Sequence, residues 1–250
     1  MRSAEPTPTL DVDWFRSRDA MTIVQRAPTT NLIVLGSSQP ASLLAVADTR
    51  GVRRRGGGGA VAIDRDATIW IDLWVPRGEA PVDHDVAGGL RSVGELWRSA
   101  LTRMGASTID VVRAPSPHGG EVACFGGLGH GEIIGPSGAK VVGITAWRSR
   151  EGSLYQCASY LEPCADLLVH ALELSDAERR LLRAHLTTAT ELLDGVVPSI
   201  EPHADVATVR AHFARELRDA WVATGSTSLV EEVVLPEMVT GEHATIDEVE

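Results

Sequence analysis

Three arginines and four glycines in succession, Arg53-Arg54-Arg55-Gly56-Gly57-Gly58-Gly59, followed by Ala60-Val61, constrain this chain more than any other stretch. A glycine run is poorly placed inside a helix or strand, where each glycine costs about 0.5–1 kcal/mol relative to alanine, so the segment reads as a loop. It lies between two strand-like runs: Asn31-Leu32-Ile33-Val34-Leu35, ended by Gly36-Ser37-Ser38-Gln39, and Ala60 to Ile63. Consecutive glycines let backbone N–H groups approach a ligand, and adjacent guanidiniums supply charge for a carboxylate, a phosphate or a phosphopantetheine group. A solvated loop has the same composition, and the position between two strands favours the ligand loop. No Gly-Lys-Ser/Thr follows and the G-x-G-x-x-G order is missing, so two common nucleotide loops are unsupported.

Helix and strand patterns surround this loop. Ile69 to Val75 is rich in the bulky residues strands favour, and with Ala60 to Ile63 it reads as a hairpin across Asp64-Arg65-Asp66-Ala67. From Val86 to Met104 the apolar residues Val86, Leu90, Val93, Leu96, Trp97, Ala100, Leu101 and Met104 recur at three- and four-residue steps, with Gly105 as the cap, which predicts an amphipathic helix. Short strands are predicted at Ile109 to Val112, Glu132 to Ile134 and Val141 to Ala146. The capping box Ser175-Asp176-Ala177-Glu178 opens a helix whose stripe is Leu181, Leu182, His185, Leu186, Ala189, Leu192 and Leu193, ended by Gly195 and Pro198. A further helix spans about Val206 to Trp221. The expected fold class is α/β (α+β), with an N-terminal segment 1–29, a central domain 30–173, a helical C-terminal extension 174–238 and an acidic tail 239–250.

A chain of 250 residues with 44% apolar and 23% charged residues is long and apolar enough for a sizeable core. Its net charge of −11 and the lack of any long basic stretch argue against general nucleic-acid binding. No segment approaches the roughly 18 apolar residues of a membrane span, and the start MRSAEPTPTLDVDW lacks a secretory apolar run, so a cytoplasmic protein is expected. The cysteines Cys124, Cys157 and Cys164 form neither an even set nor a CxxC pair, and reduced thiols are expected.

Two residue types stand out as reactive. Lys140 is the single lysine between Arg103 and Glu173; its place at the start of a strand suggests an inward-aimed ammonium, with a solvated surface lysine as the alternative. Cys124 is a candidate thiol nucleophile, because a nearby cation raises a thiol's thiolate fraction. A lone cysteine is more often a small buried hydrophobe, the reading given to Cys157 and Cys164. The eight histidines show neither H-x-x-x-H nor H-E-x-x-H spacing, and Gly-x-Ser-x-Gly is missing, which argues against a zinc hydrolase and a serine elbow. His118 and His130 read as solvated loop residues near Cys124.

Three segments, in order, resemble the superfamily of lipoate–protein ligases, octanoyltransferases and biotin ligases. Leu35-Gly36-Ser37-Ser38-Gln39 resembles its Leu-Gly-x-x-Gln strand end; Arg54-Arg55 with Gly57-Gly58-Gly59-Ala60-Val61 resembles its arginine–glycine loop; Gly138-Ala139-Lys140-Val141-Val142-Gly143 resembles its Gly-Lys-Lys-Ile-x-Gly segment. Ala123-Cys124-Phe125, with Glu132 eight residues on, is similar to the cysteine-bearing octanoyltransferases. Gln156-Cys157 stands where family members have His-Gly.

The resemblance implies a mixed-sheet cradle for an acyl chain. It makes Arg54, Arg55, Gly57, Gly58, Gly59, Ala60 and Gly143 substrate-binding, Lys140 the partner of the reacting carbonyl and Cys124 the nucleophile. The implied activity moves an octanoyl or lipoyl group through a cysteine thioester to a lysine of a lipoyl domain, from an acyl carrier protein as donor and with no cofactor. The alternative is an ATP- and magnesium-dependent lipoate–protein ligase, and a third reading is a non-catalytic acyl- or biotin-binding relative.

Overall fold

The computed structural model describes residues 9–45, 50–79, 85–116, 120–201, 203–226 and 230–235. In chain order the elements are helix α1 (Asp13–Arg16), strands β1 (Met21–Arg26), β2 (Leu32–Leu35), β3 (Gly51–Arg53), β4 (Val61–Ile63) and β5 (Thr68–Pro76), and helix α2 (Val86–Arg103). Strands β6 (Asp110–Val111), β7 (Ile133–Ile134), β8 (Lys140–Arg148) and β9 (Gly152–Tyr160) follow, then helices α3 (Ala165–Ala171), α4 (Asp176–Ala189), α5 (Leu193–Val196) and α6 (Val206–Ala223), and strand β10 (Val230–Leu235). They build a seven-stranded sheet in the order β10-β1-β5-β9-β8-β7-β6 and a three-stranded sheet in the order β3-β2-β4. The predicted mixed α/β class is the one observed.

Strand β5 shows how the layers are set. Its odd residues Ile69, Ile71, Leu73 and Val75 share one core with Trp97 and Leu101 of α2 and Phe213 and Trp221 of α6. Its even residues face the other way: Trp70 packs with the small sheet and Trp74 with Phe15 of α1. Period-2 alternation thus buries both faces, so the strand reads as a continuous apolar run. Between the two tryptophans sits Asp72, fully buried, paired to Arg26 of β1 at 2.8 Å and accepting from Trp70 Nε1 at 2.9 Å. Burial pushes the Asp72 carboxyl up, and Arg26, Trp70 and Gln156 pull it back.

Helix α2 starts as its sequence dictates, with Asp85 accepting from Gly88 N at 2.5 Å, and it ends before Gly105 at φ +104°. One face packs on β8 and α6. At Gly94 a Cβ would fall 2.1 Å from the Gly131 carbonyl oxygen, so α2 presses directly on the turn that leads into β7.

Several expectations are corrected. The predicted hairpin of 60–63 with 69–75 does not form: β4 pairs with β2 and β5 pairs with β1 and β9, in different sheets. Asp64 Oδ1 and the Thr68 hydroxyl tie the connecting turn down while the strands diverge. Residues 21–26, within the segment read as lacking a period, are a strand buried at every position. Residues 230–235, within the helical extension, are a strand paired in parallel with β1. Helix α4 keeps its capping box but stops at Ala189; Leu181 is 74% exposed, and Leu193 and Gly195 belong to the separate helix α5. Val86, placed inward by the pattern, is 50% exposed, because the first turn of α2 overhangs the cleft described next. His118 and the acidic tail lie outside the described residues.

Candidate active site

The glycine loop is built by its own arginines. Arg54 is buried, and its guanidinium donates to the carbonyls of Gly57 at 2.7 Å, Gly59 at 2.8 Å and Val34 at 3.2 Å. Burial holds this guanidinium below the ordinary arginine range, and Cys124 and Glu132 act in the opposite sense. Arg53 turns back on Leu35-Gly36-Ser37-Ser38-Gln39 and donates to Gly36 O at 2.9 Å and to the Gln39 carbonyl. The two arginines therefore serve backbone carbonyls, and Arg55 is the exposed member of the three. Thr145 Oγ1 of β8 closes the loop onto the main sheet by donating to Gly57 O at 3.1 Å.

Cys124 is held against the far end of this loop. Its N–H donates to Ala60 O at 2.9 Å and Ala60 N–H donates to Val122 O at 2.8 Å, a parallel bridge between residues 60 and 123. Gly59 makes the approach possible, since a Cβ there would lie 2.3 Å from Gly120 O. Gln39 contributes from the other side, donating through Nε2 to the carbonyls of Glu121 and Val122, both at 3.0 Å. The Leu-Gly-x-x-Gln end is thus a strut for the segment that carries the cysteine. Cys124 opens a short helical turn through Gly126, and His185 of α4 clasps that turn through its contact with Gly126 O at 2.6 Å.

Lys140 enters from β8 and is 1% exposed. Its Nζ donates to the Cys124 carbonyl oxygen at 2.6 Å and to Glu132 Oε2 at 2.7 Å, and lies 5.3 Å from the Phe125 ring centroid. Glu132 is itself buried and also accepts from Gly129 N at 2.5 Å and Ile144 N at 3.3 Å. An ammonium has three N–H donors, so two are committed and one remains for a reacting oxygen. The second residue after α4 completes the frame: Glu191 N–H donates to the Lys140 carbonyl at 2.9 Å.

Gly57, Gly58, Gly59, Cys124, Glu132, Lys140 and Thr145 line one open cleft of about 490 Å³, with Val86 and Leu90 of α2 on its rim. The structure places the other expected residues around it. Arg54 and Gly143 line a narrow apolar recess of about 30 Å³ behind Cys124, with Trp70 and Gln156. Ala60 lines a separate apolar cavity of about 320 Å³ under α3 and α4. Gly143 leaves room for Phe125, whose ring would sit 3.1 Å from a Cβ there. His130 is bonded to Arg113 O at 2.9 Å. Cys157 sits in the middle of β9 and Cys164 precedes α3; both are buried, and burial pushes Cys157 far up and Cys164 up to about 12.

Two supports of this site carried no assignment in the sequence: Glu132 as the partner of Lys140, and His185 as the clasp on the cysteine turn. Glu132 was quoted with the cysteine segment, and its spacing alone does not reveal the pair. His185 was placed on an apolar stripe.

The fold is similar to that of solved lipoate–protein ligases. A bipartite lipoate protein ligase from Thermoplasma acidophilum, solved with its E2 lipoyl domain, superposes with a TM-score of 0.60 over 89% of this chain and 78% of its own, at 16% identity. Lipoate-protein ligase A bound with ATP gives 0.56 over 86% and 75%, at 15% identity. P. falciparum LipL1 in complex with lipoate gives 0.52 over 86% of this chain and 54% of its own, at 13% identity. Neither a family model nor a curated protein sequence matches this chain. Among the described residues no helix is long and apolar enough to cross a membrane.

Proposed function

We propose that this chain is an acyltransferase that carries an octanoyl or lipoyl group as a thioester on Cys124 and passes it to a lysine of a lipoyl domain. The observation that carries the reading is the meeting of Cys124 and Lys140 in one cleft, walled by the glycine loop, with the ammonium 2.6 Å from the cysteine's own carbonyl oxygen. The lipoate–protein ligase fold supports the acyl class.

In the first step the Cys124 sulfur bonds to the carbonyl carbon of the donor thioester, the carrier C–S bond breaks, and the carrier sulfur leaves with the thiol proton. In the second, the acceptor amine attacks the new thioester and the Cys124 sulfur leaves, taking a proton from that amine. Both steps pass through an oxyanion, and the third N–H of Lys140 is the donor placed to meet it. A fixed donor there stabilises charge that exists chiefly in the transition state. An acyl carrier protein is the proposed donor, and exposed Arg55, two residues before the cleft-lining Gly57, is the charge proposed to face it.

A second reading is an ATP-dependent ligase, favoured by that same exposed guanidinium beside Gly57 and Gly58. Arg53 and Arg54 are committed to carbonyls, so phosphate charge would fall on Arg55. Intact-protein mass spectrometry separates the readings. Wild type and Cys124→Ala are incubated with octanoyl carrier protein, or with octanoate, ATP and magnesium, each with and without a lipoyl domain. An adduct from the thioester donor that vanishes in Cys124→Ala and moves to the lipoyl domain supports the transferase. Modification only with ATP, indifferent to the substitution, establishes the ligase, and no transfer in either arm leaves an acyl-binding protein.

A further inference from the structure

Lys140 is the only lysine in the 250 residues; every other member of the 23 lysines and arginines is an arginine. An arginine guanidinium stays protonated in proteins and does not compete as an acyl acceptor. The one ε-amine of the chain is therefore the amine beside Cys124, inside the cleft where an acyl thioester would form. A chain that hands an acyl group to a lysine would thus carry its own lysine at the position where self-acylation is most favoured by proximity.

What stands between the two is Glu132. Its carboxylate meets Lys140 Nζ at 2.7 Å, with 1% of the lysine side chain and 3% of the glutamate side chain exposed. It cannot swing away freely, because Gly129 N and Ile144 N both donate to it. The Cys124 carbonyl and the Phe125 ring also face the ammonium and both favour a cation, while the buried Arg54 guanidinium of the glycine loop is a second cation on which the Glu132 carboxylate acts. An ammonium ion has no lone pair with which to attack a carbonyl carbon. A buried cation persists when an anion is hydrogen-bonded to it, and this one is.

We propose that Glu132 is a positioning residue that fixes the acceptor: by holding Lys140 as an ammonium ion, it keeps the single ε-amine of the chain from taking the acyl group, so that the group leaves on an external amine. The inference rests on the thioester reading of Cys124. The reaction it suppresses is an S-to-N transfer: neutral Lys140 Nζ bonds to the thioester carbonyl carbon, the bond to Cys124 Sγ breaks, and one amine proton passes to the sulfur. The product is an amide on Lys140 and a free thiol, a dead end for the enzyme.

Glu132→Gln tests this: Gly129 N and Ile144 N donate to different oxygens of the carboxylate, so the amide keeps an acceptor for one of them while the charge is gone. Wild type and variant are loaded with an octanoyl thioester donor without acceptor, treated or not with hydroxylamine, and mapped by peptide mass spectrometry. Wild type should carry a hydroxylamine-labile octanoyl group on Cys124 and none on Lys140. Glu132→Gln should lose the labile adduct with time and gain a hydroxylamine-stable one on Lys140. A variant that keeps its thioester with Lys140 unmodified, or a wild type that accumulates the Lys140 amide equally fast, overturns the proposal.

A second measurement keeps the test independent of the thioester reading. In a Cys124→Ala background, N-hydroxysuccinimidyl acetate should acetylate Lys140 at least tenfold faster when Glu132 is Gln than when it is Glu, with the α-amine as internal reference. Equal rates overturn the guard whatever Cys124 does. No thioester on wild-type Cys124 together with a tenfold difference here would instead overturn the acyl-transfer reading while sustaining the charge-holding role. Glu132→Asp, which keeps a carboxylate one methylene farther back, should fall between the two rates and serves if Glu132→Gln does not fold, as judged by its denaturant midpoint.

Discussion

The Arg26 guanidinium of β1 and the Asp72 carboxylate of β5 meet at 2.8 Å with side chains 1% and 0% exposed, in the sheet layer directly behind the recess at Cys124. Gln156, opposite Asp72 in the β5–β9 register, completes the group with a long 3.5 Å contact. Removing one partner of a buried ion pair takes away the compensation of the other's charge and costs about 3–5 kcal/mol. Asp72→Ala is therefore expected to unfold at markedly lower urea concentration, with an unfolding free energy lower by that amount. A midpoint within error of wild type would show that the pair contributes nothing to stability.

The same reasoning separates stability from chemistry at Lys140. Lys140→Met strands the Glu132 carboxylate and should lose about 3–5 kcal/mol. Lys140→Met with Glu132→Gln removes both charges and should recover most of that loss in chemical denaturation. Acyl transfer should stay reduced by about 10²–10³-fold in both, the usual cost of one oxyanion donor. Recovery of transfer in the double variant would remove Lys140 from the chemistry.

Neighbouring glycines of the loop should differ sharply. A Cβ on Gly59 would sit 2.3 Å from Gly120 O and 2.7 Å from the Ala123 carbonyl carbon, whereas one on Gly57 meets nothing within 4 Å. Gly59→Ala should displace the Cys124 segment and lower the melting temperature by several degrees. Gly57→Ala should leave the melting temperature within about 1 °C of wild type, small against the several degrees that a 1 kcal/mol change produces.

Arg54 is buried against its own loop, and the adjacent Arg55 is exposed. Arg54→Ala frees the carbonyls of Val34, Gly57 and Gly59 and should destabilise the fold by about 2 kcal/mol or more. Arg55→Ala should leave denaturant midpoints unchanged and raise the KM for an acidic carrier donor, an effect that shrinks as salt rises. A salt-independent KM would take Arg55 out of donor binding.

Acid sensitivity has a local source at the β8–β9 turn. Glu151 is held down to about 2 by the Arg16 guanidinium and the Ser149 hydroxyl, against an ordinary 4.5. A carboxyl depressed in the folded state contributes stability above its unfolded value, and that contribution is lost as pH falls from about 4.5 towards 2. Glu151→Gln should flatten the fall of the denaturant midpoint across that window, and 0.5 M salt should mimic part of the effect because the pair is exposed.

Helices α2 and α6 were legible because their periodic apolar stripes are one-sided, and Gly105 marked where α2 ends. Strand β1 was not: Met21-Thr22-Ile23-Val24-Gln25-Arg26 is buried throughout, but Arg26 and Gln25 disguise it, and only the distant Asp72 explains why an arginine belongs there. The false hairpin arose because an apolar run buried on both faces holds no record of its partner. At the site, the three quoted segments do converge on Cys124 and Lys140. What the residue types concealed was direction, since an arginine that serves its own loop and one that faces a ligand look alike in a sequence. Glu132 was concealed by the turn through Gly129 and Gly131 that folds it back onto Lys140.

The parallel pairing of β1 with β10 places residue 21 beside residue 230, more than two hundred positions apart in the chain. Among the described residues strand β1 has one edge satisfied by β5 and the other by β10, so until β10 emerges from the ribosome that edge offers unpaired N–H and C=O groups to any neighbouring chain. Such a distant contact is also slow to form, since loop-closure entropy must be met before it rewards. A premature stop shortly after α6 would therefore leave that edge of β1 open and favour an aggregating product over a shortened folded protein.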